Sequence, residues 1–338
     1  MKKIRVGING FGRIGRVAAR IAINRNTIEL VAINSRADSL SHAYLLRHDT
    51  TYGLFAKDVS ENKGNLQVED NLIKVFQENE PSRIPWGSIG VEVVIESTGI
   101  FRDKISASAH LHNGAKLVVI SAPPKDEIPT FCVGVNDYLL ELNKDKIISN
   151  ASCTTNCLAT VAMVLEENFG IVKGFMTTVH SYTDSQNLLD NSHRKDLRLA
   201  RSAPNNMIPS STGASKALGL VLPSLKGKII SSSLRVPLNT VSLIDLTVEL
   251  KKEADADHIN KAFENAAQNK LSGIMELSYD HLVSSDIKGS TFSSIVDGSL
   301  TAVNGKMVNV KAWYDNEWGY TSRLIDLVEK GFSKLLNG

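Results

Sequence analysis

The 338-residue sequence predicts an α/β protein in two parts. Residues 1–151 read as a doubly wound, mostly parallel sheet, and residues 152–318 as an α+β domain with a mainly antiparallel or mixed sheet. Three observations carry this. Apolar strand-like runs alternate with helical spacings through the first half. The first of those runs meets the glycine turn Gly10-Phe11-Gly12-Arg13-Ile14-Gly15. In the second half, long alternating strands follow one another with few crossover helices between them. A closing helix over 319–338 is expected to pack back on the first domain.

Bulk properties narrow the function. Apolar residues make up 42% and charged residues 22%, a balance that supports a substantial core in a soluble globular chain. The net charge of +2 makes no case for nucleic acid or a membrane surface as a partner. Three cysteines in a chain of this length do not form a disulfide framework, which favours a reducing compartment. No long apolar run suggests a signal peptide or a membrane span, so a cytoplasmic location is expected.

Taken in order, Ile4–Asn9 is a buried strand, and Ile14, Val17, Ala18, Ile21 and Ala22 have the three-to-four spacing of a helix. The glycines between them are G-x-G-x-x-G in the strand–turn–helix setting of a Rossmann-type dinucleotide fold. Gly10 permits the tight turn, Gly12 lets backbone approach a pyrophosphate, and Gly15 allows helix to pack on strand. Arg13 and the helix N-terminus add positive potential. The second strand, Ile28–Asn34, ends where the fingerprint calls for an acidic residue to bind both ribose hydroxyls. Here Asn34 is followed by Ser35 and Arg36. Arg36 is either a solvated loop residue or, with Ser35, a receiver for a 2′-phosphate that an acidic residue would repel. The sequence therefore leans toward NADP. Further strands are expected at Val91–Glu96, Leu117–Ser121 and Thr130–Val133, with helices at Asp38–His48 and Lys104–His112. Thr98, Gly99 and Ser121 fall at strand ends, where such sheets bind ligands. Cys132 is expected in a strand and in the core.

The stretch Ser149-Asn150-Ala151-Ser152-Cys153-Thr154-Thr155-Asn156-Cys157 joins a short strand (Lys146–Ile148) to a helix, placing Cys153 in the first helical turn. There the free N–H groups favour an anion and lower a thiol's pKa. The alternative, a buried structural Cys, is weakened by the flanking Ser152, Thr154, Thr155 and Asn156, which can cap the helix or hydrogen-bond an anion. Strands follow at Val172–His180, Ile229–Pro237, Val241–Leu250 and Val308–Trp313. A thiolate that attacks a carbonyl needs a base, and His180 at a strand end is the candidate. Arg235 in mid-strand is costly to bury without an anionic partner. Ser211-Thr212-Gly213 offers phosphate-type donors. The long polar stretch from His180 to Gly213 is expected to be functional or to make subunit contacts. Cys157, one turn below Cys153, has no second ligand pair at metal-site spacing and is expected to be structural, so no metal site is predicted.

Together these residues closely resemble the phosphorylating glyceraldehyde-3-phosphate dehydrogenases of bacterial type. The resemblance runs over essentially the whole chain: INGFGRIGR at 8–16, SNASCTTNC at 149–157, TTVHSYT at 177–183, PSSTGASKA at 209–217, LRVP at 234–237 and WYDNEWGY at 313–320. It implies that Cys153 is the nucleophile and His180 the general base. Thr183 and Arg235 would hold the substrate's phosphate, and Ser152, Thr154, Thr212 and Gly213 the incoming inorganic phosphate. Asn316 would fix the nicotinamide carboxamide with Tyr320 beside the ring. Arg13 and Ile14 would contact the pyrophosphate through backbone amides, while Thr98, Gly99, Phe101 and Ser121 line the rest of the cofactor site. The implied reaction is reversible conversion of glyceraldehyde 3-phosphate and inorganic phosphate to 1,3-bisphosphoglycerate, with NADP or NAD as hydride acceptor, in a homotetramer.

Departures from the family's pattern matter too. Many NAD-using bacterial members carry Asp at the position of Ser35 and Leu-Pro at Asn191-Ser192, while chloroplast-type NADP-using members have a Ser matching Ser192. Both changes favour NADP. Bacterial members often carry a second phosphate-binding Arg where Leu199 stands, and neither Arg198 nor Arg201 is assigned to replace it. Rival readings are an erythrose-4-phosphate dehydrogenase, whose members usually lack Thr183 and Thr212-Gly213, and a non-catalytic nucleotide-binding protein, which needs neither Cys153 nor His180.

Overall fold

The computed structural model describes residues 2–142, 144–193 and 196–337. The chain forms two compact units. The first comprises the residues up to Phe131, Asp137–Ala151, and the segment from Thr321 onward; the second comprises Cys132–Asn136 and Ser152–Tyr320.

In the first unit the strands are β1 (Ile4–Asn9), β2 (Ile28–Asn34), β3 (Val59–Asn62), β4 (Asn65–Val68), β5 (Asn71–Phe76), β6 (Val93–Glu96), β7 (Leu117–Ile120) and β8 (Ile147–Ser149). They form one eight-stranded sheet in the order β3-β4-β5-β2-β1-β6-β7-β8. Every pairing from β5 to β8 is parallel, and only β3-β4-β5 runs antiparallel. The central strands are buried on both faces, which is why they read as unbroken apolar runs. Helices α1 (Arg13–Ile23), α2 (Ser39–Arg47) and α3 (Lys104–His112) connect them. The carboxyl-terminal helix α7 (Trp318–Asn337) begins in the second unit and runs into the first. There Asp326 accepts from Arg25 Nη2 at 2.8 Å, and a Cβ on Gly331 would lie 2.8 Å from Leu117 Cδ2.

The second unit is built around α4 (Cys153–Phe169). Its residues from Thr154 to Leu165 are all buried, so it is a core helix rather than an amphipathic one. It packs against the strands β9 (Ile171–Ser181), β12 (Ser242–Leu250), β14 (Ser294–Asp297) and β16 (Met307–Tyr314), and against α5 (Ala214–Val221) and α6 (Ala256–Gln268). With β10 (Ile208–Ser210), β11 (Ile229–Val236) and β13 (Met275–Ser278) these strands form a mixed sheet ordered β10-β11-β9-β12-β16-β14-β13, and β15 (Ala302–Asn304) pairs with β16. The regular alternation of buried and half-buried residues along β12 shows one fully covered face and one partly covered face.

The expected strand Thr130–Val133 does not form. Thr130 makes only an isolated bridge to Ser149, and the chain then turns. Asn136 Oδ1 accepts the Cys132 N–H at 2.8 Å, and Gly134 has φ +85°. This local side-chain bond outcompetes a ladder. Cys132 is buried, in a turn instead of a strand.

Candidate active site

At the start of α4, Ser152 is the N-cap, its hydroxyl accepting the Thr155 N–H at 3.1 Å. Cys153 follows as the first helical residue, where unpaired amides and the helix dipole favour an anion. Ala151 just before it is left-handed (φ 56°), a conformation that strains any residue with a Cβ by about 1–2 kcal/mol.

His180 is the next-to-last residue of β9 and pairs in register with Arg235 of β11, so both side chains leave the same face. His180 Nε2 lies 3.5 Å from Cys153 Sγ. Its Nδ1 lies 2.7 Å from the Ser181 carbonyl oxygen and 2.6 Å from Arg235 Nη1, which also donates to that carbonyl at 3.0 Å. These contacts compete. A proton on Nδ1 donates to Ser181 and leaves Nε2 as an acceptor toward the thiol, whereas the Arg235 bond requires a lone pair on Nδ1. Burial, and then the Arg235 charge, lowers the His180 pKa to about 3. The lowered thiol pKa expected of a helix N-terminus is not found: burial pushes the Cys153 thiol up and outweighs the opposing pull of Arg235. Both shifts hold the pair as neutral thiol and neutral imidazole.

Beneath them stands Tyr314 of β16. Its hydroxyl lies 2.9 Å from Thr154 Oγ1 and 2.8 Å from Thr178 Oγ1, and its ring meets that of His180 edge-on at 6.0 Å. Burial raises its pKa, keeping it a phenol. The Thr154 hydroxyl is thus turned inward, leaving its backbone to face the helix end. Sequence reasoning passed over Tyr314, although it lies within the closing run 313–320.

Asn316 Oδ1 accepts from Ser181 Oγ at 3.0 Å and Ser242 Oγ at 3.2 Å, which turns its amide nitrogen into the available donor end. Tyr320 is buried in the first turn of α7. Thr183 is half-buried, its hydroxyl 2.9 Å from Ser185 Oγ. Thr212 caps α5 by accepting the Ala214 N–H at 3.3 Å, and Gly213 is the N-cap residue. None of the hydrogen bonds described for Thr183, Thr212 or Gly213 reaches Cys153 or His180. Cys157 is fully buried and its thiol pKa is driven well up by burial. Ser192 is exposed, its N–H donating to Asn191 Oδ1 at 2.8 Å, and Leu199 lies in a short turn over Leu197–Ala200.

In the first unit the glycine turn meets the steric demands of a dinucleotide loop. Gly10 has φ +94°, and a Cβ there would lie 2.6 Å from Thr98 N. A Cβ on Gly15 would lie 2.1 Å from the Gly10 carbonyl oxygen, so α1 packs on the turn only through glycine. A Cβ on Gly12 would meet nothing within 4 Å, and Gly12 is the N-cap of α1 and brings no side-chain oxygen to its first turn. That open face, backed by the amides of Arg13 and Ile14, fits a pyrophosphate. The Arg13 side chain is drawn to Asp49 at 2.6 Å. Asn34 is buried at the end of β2, Ser35 is half-buried and Arg36 exposed. Gly99 has φ +72°, Phe101 is half-buried, and Ser121 donates its N–H to the Glu96 carbonyl at 2.9 Å.

Comparison with known proteins agrees. Residues 4–104 match the glyceraldehyde 3-phosphate dehydrogenase NAD binding domain, and residues 152–316 match the C-terminal domain of the same family. A glyceraldehyde-3-phosphate dehydrogenase of Streptomyces coelicolor is 52% identical over 96% of this chain and 97% of its own. Glyceraldehyde-3-phosphate dehydrogenase 1 of Bacillus cereus is 50% identical over 98% and 99%, and the chloroplastic A form of Zea mays 50% identical over 97% and 82%. With a thiol and an imidazole in contact at a helix N-terminus and both family domains matched, the chain belongs to the glyceraldehyde-3-phosphate dehydrogenase family.

Proposed function

We propose that the protein catalyses the reversible, phosphorylating oxidation of D-glyceraldehyde 3-phosphate to 1,3-bisphosphoglycerate, with NADP preferred over NAD. The observation that carries this is Cys153 Sγ at 3.5 Å from His180 Nε2, at the N-terminus of a buried helix. The thiol passes its proton to His180 as sulfur attacks the aldehyde carbon, and His180 returns that proton to the carbonyl oxygen, giving a thiohemiacetal. His180 then takes the hydroxyl proton as the carbon is oxidised. The nicotinamide, when bound, supplies the hydride acceptor; Asn316 orients its carboxamide and Tyr320 packs beside it. Inorganic phosphate attacks the resulting thioester, and the C–S bond breaks to release the Cys153 sulfur, which takes back a proton from His180. Ser152, the backbone of Thr154, and Thr212 and Gly213 hold this phosphate. Thr183 and Arg235 take the phosphate of the substrate. For His180 to act as base its Nδ1 proton must lie on the Ser181 carbonyl, so Arg235 turns its hydrogen bonds from the imidazole to that phosphate.

Stoichiometric alkylation of Cys153 by iodoacetate, with loss of turnover and no alkylation in Cys153→Ser, is the expected result; full activity in Cys153→Ser would end this reading. The cofactor preference rests on Ser35, Arg36 and Ser192, where no carboxylate repels a 2′-phosphate. Ser35→Asp should lower kcat/KM for NADP by about tenfold or more, a change of ~1.4 kcal/mol, and leave that for NAD within about threefold. A wild-type protein already faster with NAD than NADP would sink the preference while leaving the reaction standing. A cytoplasmic location and a homotetrameric state complete the proposal. No helix among the described residues is long and apolar enough to cross a membrane.

A further inference from the structure

The last residues of three adjacent strands, Asn34 of β2, Asn9 of β1 and Glu96 of β6, stand side by side in register at the carboxyl edge of the sheet. Their side chains are joined. Asn34 Nδ2 donates to Asn9 Oδ1 at 2.7 Å, and Asn9 Nδ2 donates to Glu96 Oε2 at 2.5 Å. The same Oε2 lies 3.0 Å from His110 Nε2, and His110 Nδ1 lies 3.0 Å from Trp86 Nε1. Glu96 Oε1 accepts both the backbone N–H of Thr98, at 2.9 Å, and its hydroxyl. Glu96 is 1% exposed and His110 0%.

The polarity of this row is set from both ends. An indole N–H can only donate, so His110 Nδ1 accepts and its Nε2–H donates to Glu96. At the other end the backbone N–H of Glu78 donates to Asn34 Oδ1 at 2.8 Å, which leaves Asn34 Nδ2 as the donor to Asn9. Donors therefore converge on one buried carboxylate from a strand (Asn9), a helix (His110) and a loop (Thr98), with Asn34 of the next strand donating to Asn9 behind them. A carboxylate withdrawn from water is tolerated only with such complete pairing. The geometry also has a consequence for the glycine turn, since Gly10 is pressed against the Ser97–Thr98 backbone that Glu96 holds.

We infer that Glu96, backed by His110 and Trp86, is a positioning residue for the dinucleotide: its carboxylate holds the Thr98 loop and the Asn9–Asn34 pair at the spacing that receives the cofactor. The inference rests on the reading above that Thr98 lines the cofactor site and that β2, which ends at Asn34, reaches the cofactor's ribose. It acts through these neighbours and touches no reacting atom. Glu96→Gln keeps the size but sets an NH2 against donors in either orientation. His110→Leu removes one donor to Glu96 and strands the Trp86 N–H. His110→Gln can still accept from Trp86 and donate to Glu96.

The test is calorimetric titration of the full-length variants with NADP and with NAD, alongside steady-state kinetics. Glu96→Gln and His110→Leu should weaken Kd for both cofactors by about tenfold or more, with kcat at saturating cofactor within about threefold. Glyceraldehyde 3-phosphate KM and the cofactor-free rate of Cys153 alkylation should not move. His110→Gln should recover most of the affinity. A merely structural network would lower Tm in His110→Leu with Kd unchanged, and that result, with Thr98→Val weakening Kd, overturns the inference. If Thr98→Val and Asn34→Ala also leave Kd unchanged, the assignment of these strand ends to the cofactor is what fails. Should Glu96→Gln not fold, the contrast between His110→Leu and His110→Gln decides alone.

Discussion

His180 shows how one residue's surroundings set both chemistry and stability. Folded, its pKa is about 3, against about 6.5 in an unfolded chain. Between those values the unfolded state binds more protons, so stability falls as pH drops from about 6.5 toward 3, by up to ~1.4 kcal/mol per pH unit. In His180→Asn that contribution disappears. Denaturant melts from pH 7 to 4.5 should therefore show a shallower acid loss than wild type; equal slopes would mean His180 is not held neutral. The same variant should lose about 10²–10⁴-fold in kcat, the usual worth of a positioned base. The residue types of this pair were legible in the sequence. Their contact was not, because Cys153 and His180 come from different elements and only the pairing of β9 with the rest of the sheet places the imidazole over the helix end.

At the scale of elements, α4 carries Cys153 at its first turn and also fills the core of its unit. Its cap and its buried face are separable. Ser152→Ala removes the side-chain bond to the Thr155 N–H and should lower stability by about 0.5–2 kcal/mol. Leu158, fully buried, should cost about 2–5 kcal/mol when cut to Ala, with the thiol still alkylated by iodoacetate at the wild-type rate. Urea denaturation measures both, and a Leu158→Ala loss under 1 kcal/mol (about the value for a half-exposed site) would mean that α4 is not the packed centre described. The helix was legible from the spacing of Leu158, Val161, Ala162 and Leu165. The β3–β5 meander was not recognised, although Lys63 and Gly64, both at positive φ, make the kind of two-residue turn that joins such strands. Short half-exposed strands carry too little alternation to stand out from a loop.

For the whole molecule, the exposed face of β9 and β11 is where the proposed homotetramer would associate. Phe175 and Ile230 face each other in register on β9 and β11, and they are 66% and 63% exposed. Adjacent large apolar side chains on a solvent-facing sheet are the mark of an association surface. Light scattering should give the mass of a homotetramer, and Phe175→Asp should shift it to smaller species; an unshifted tetramer would exclude this face from the interface. The second unit's strand order and the entry of Cys132–Asn136 into it were not readable in the sequence. Both depend on pairings between residues far apart in the chain.

What the sequence determined by itself is what local physics decides. Gly10 and Gly15 stand where any Cβ would strike backbone, a parallel sheet buried on both faces needs apolar runs, and a cysteine behind a serine cap falls at a helix N-terminus. The tertiary structure alone decided which groups meet. It set Arg235 beside His180 by strand register, ran Tyr314 under the thiol as a bridge between Thr154 and Thr178, and gathered Asn9, Asn34, Thr98 and His110 around Glu96. None of these partners is a sequence neighbour at helical or strand spacing, apart from Thr98 beside Glu96. Hydrogen bonds in a buried site are specified by the three-dimensional positions of donors and acceptors, and those positions exist only once the sheet has closed on its strand order.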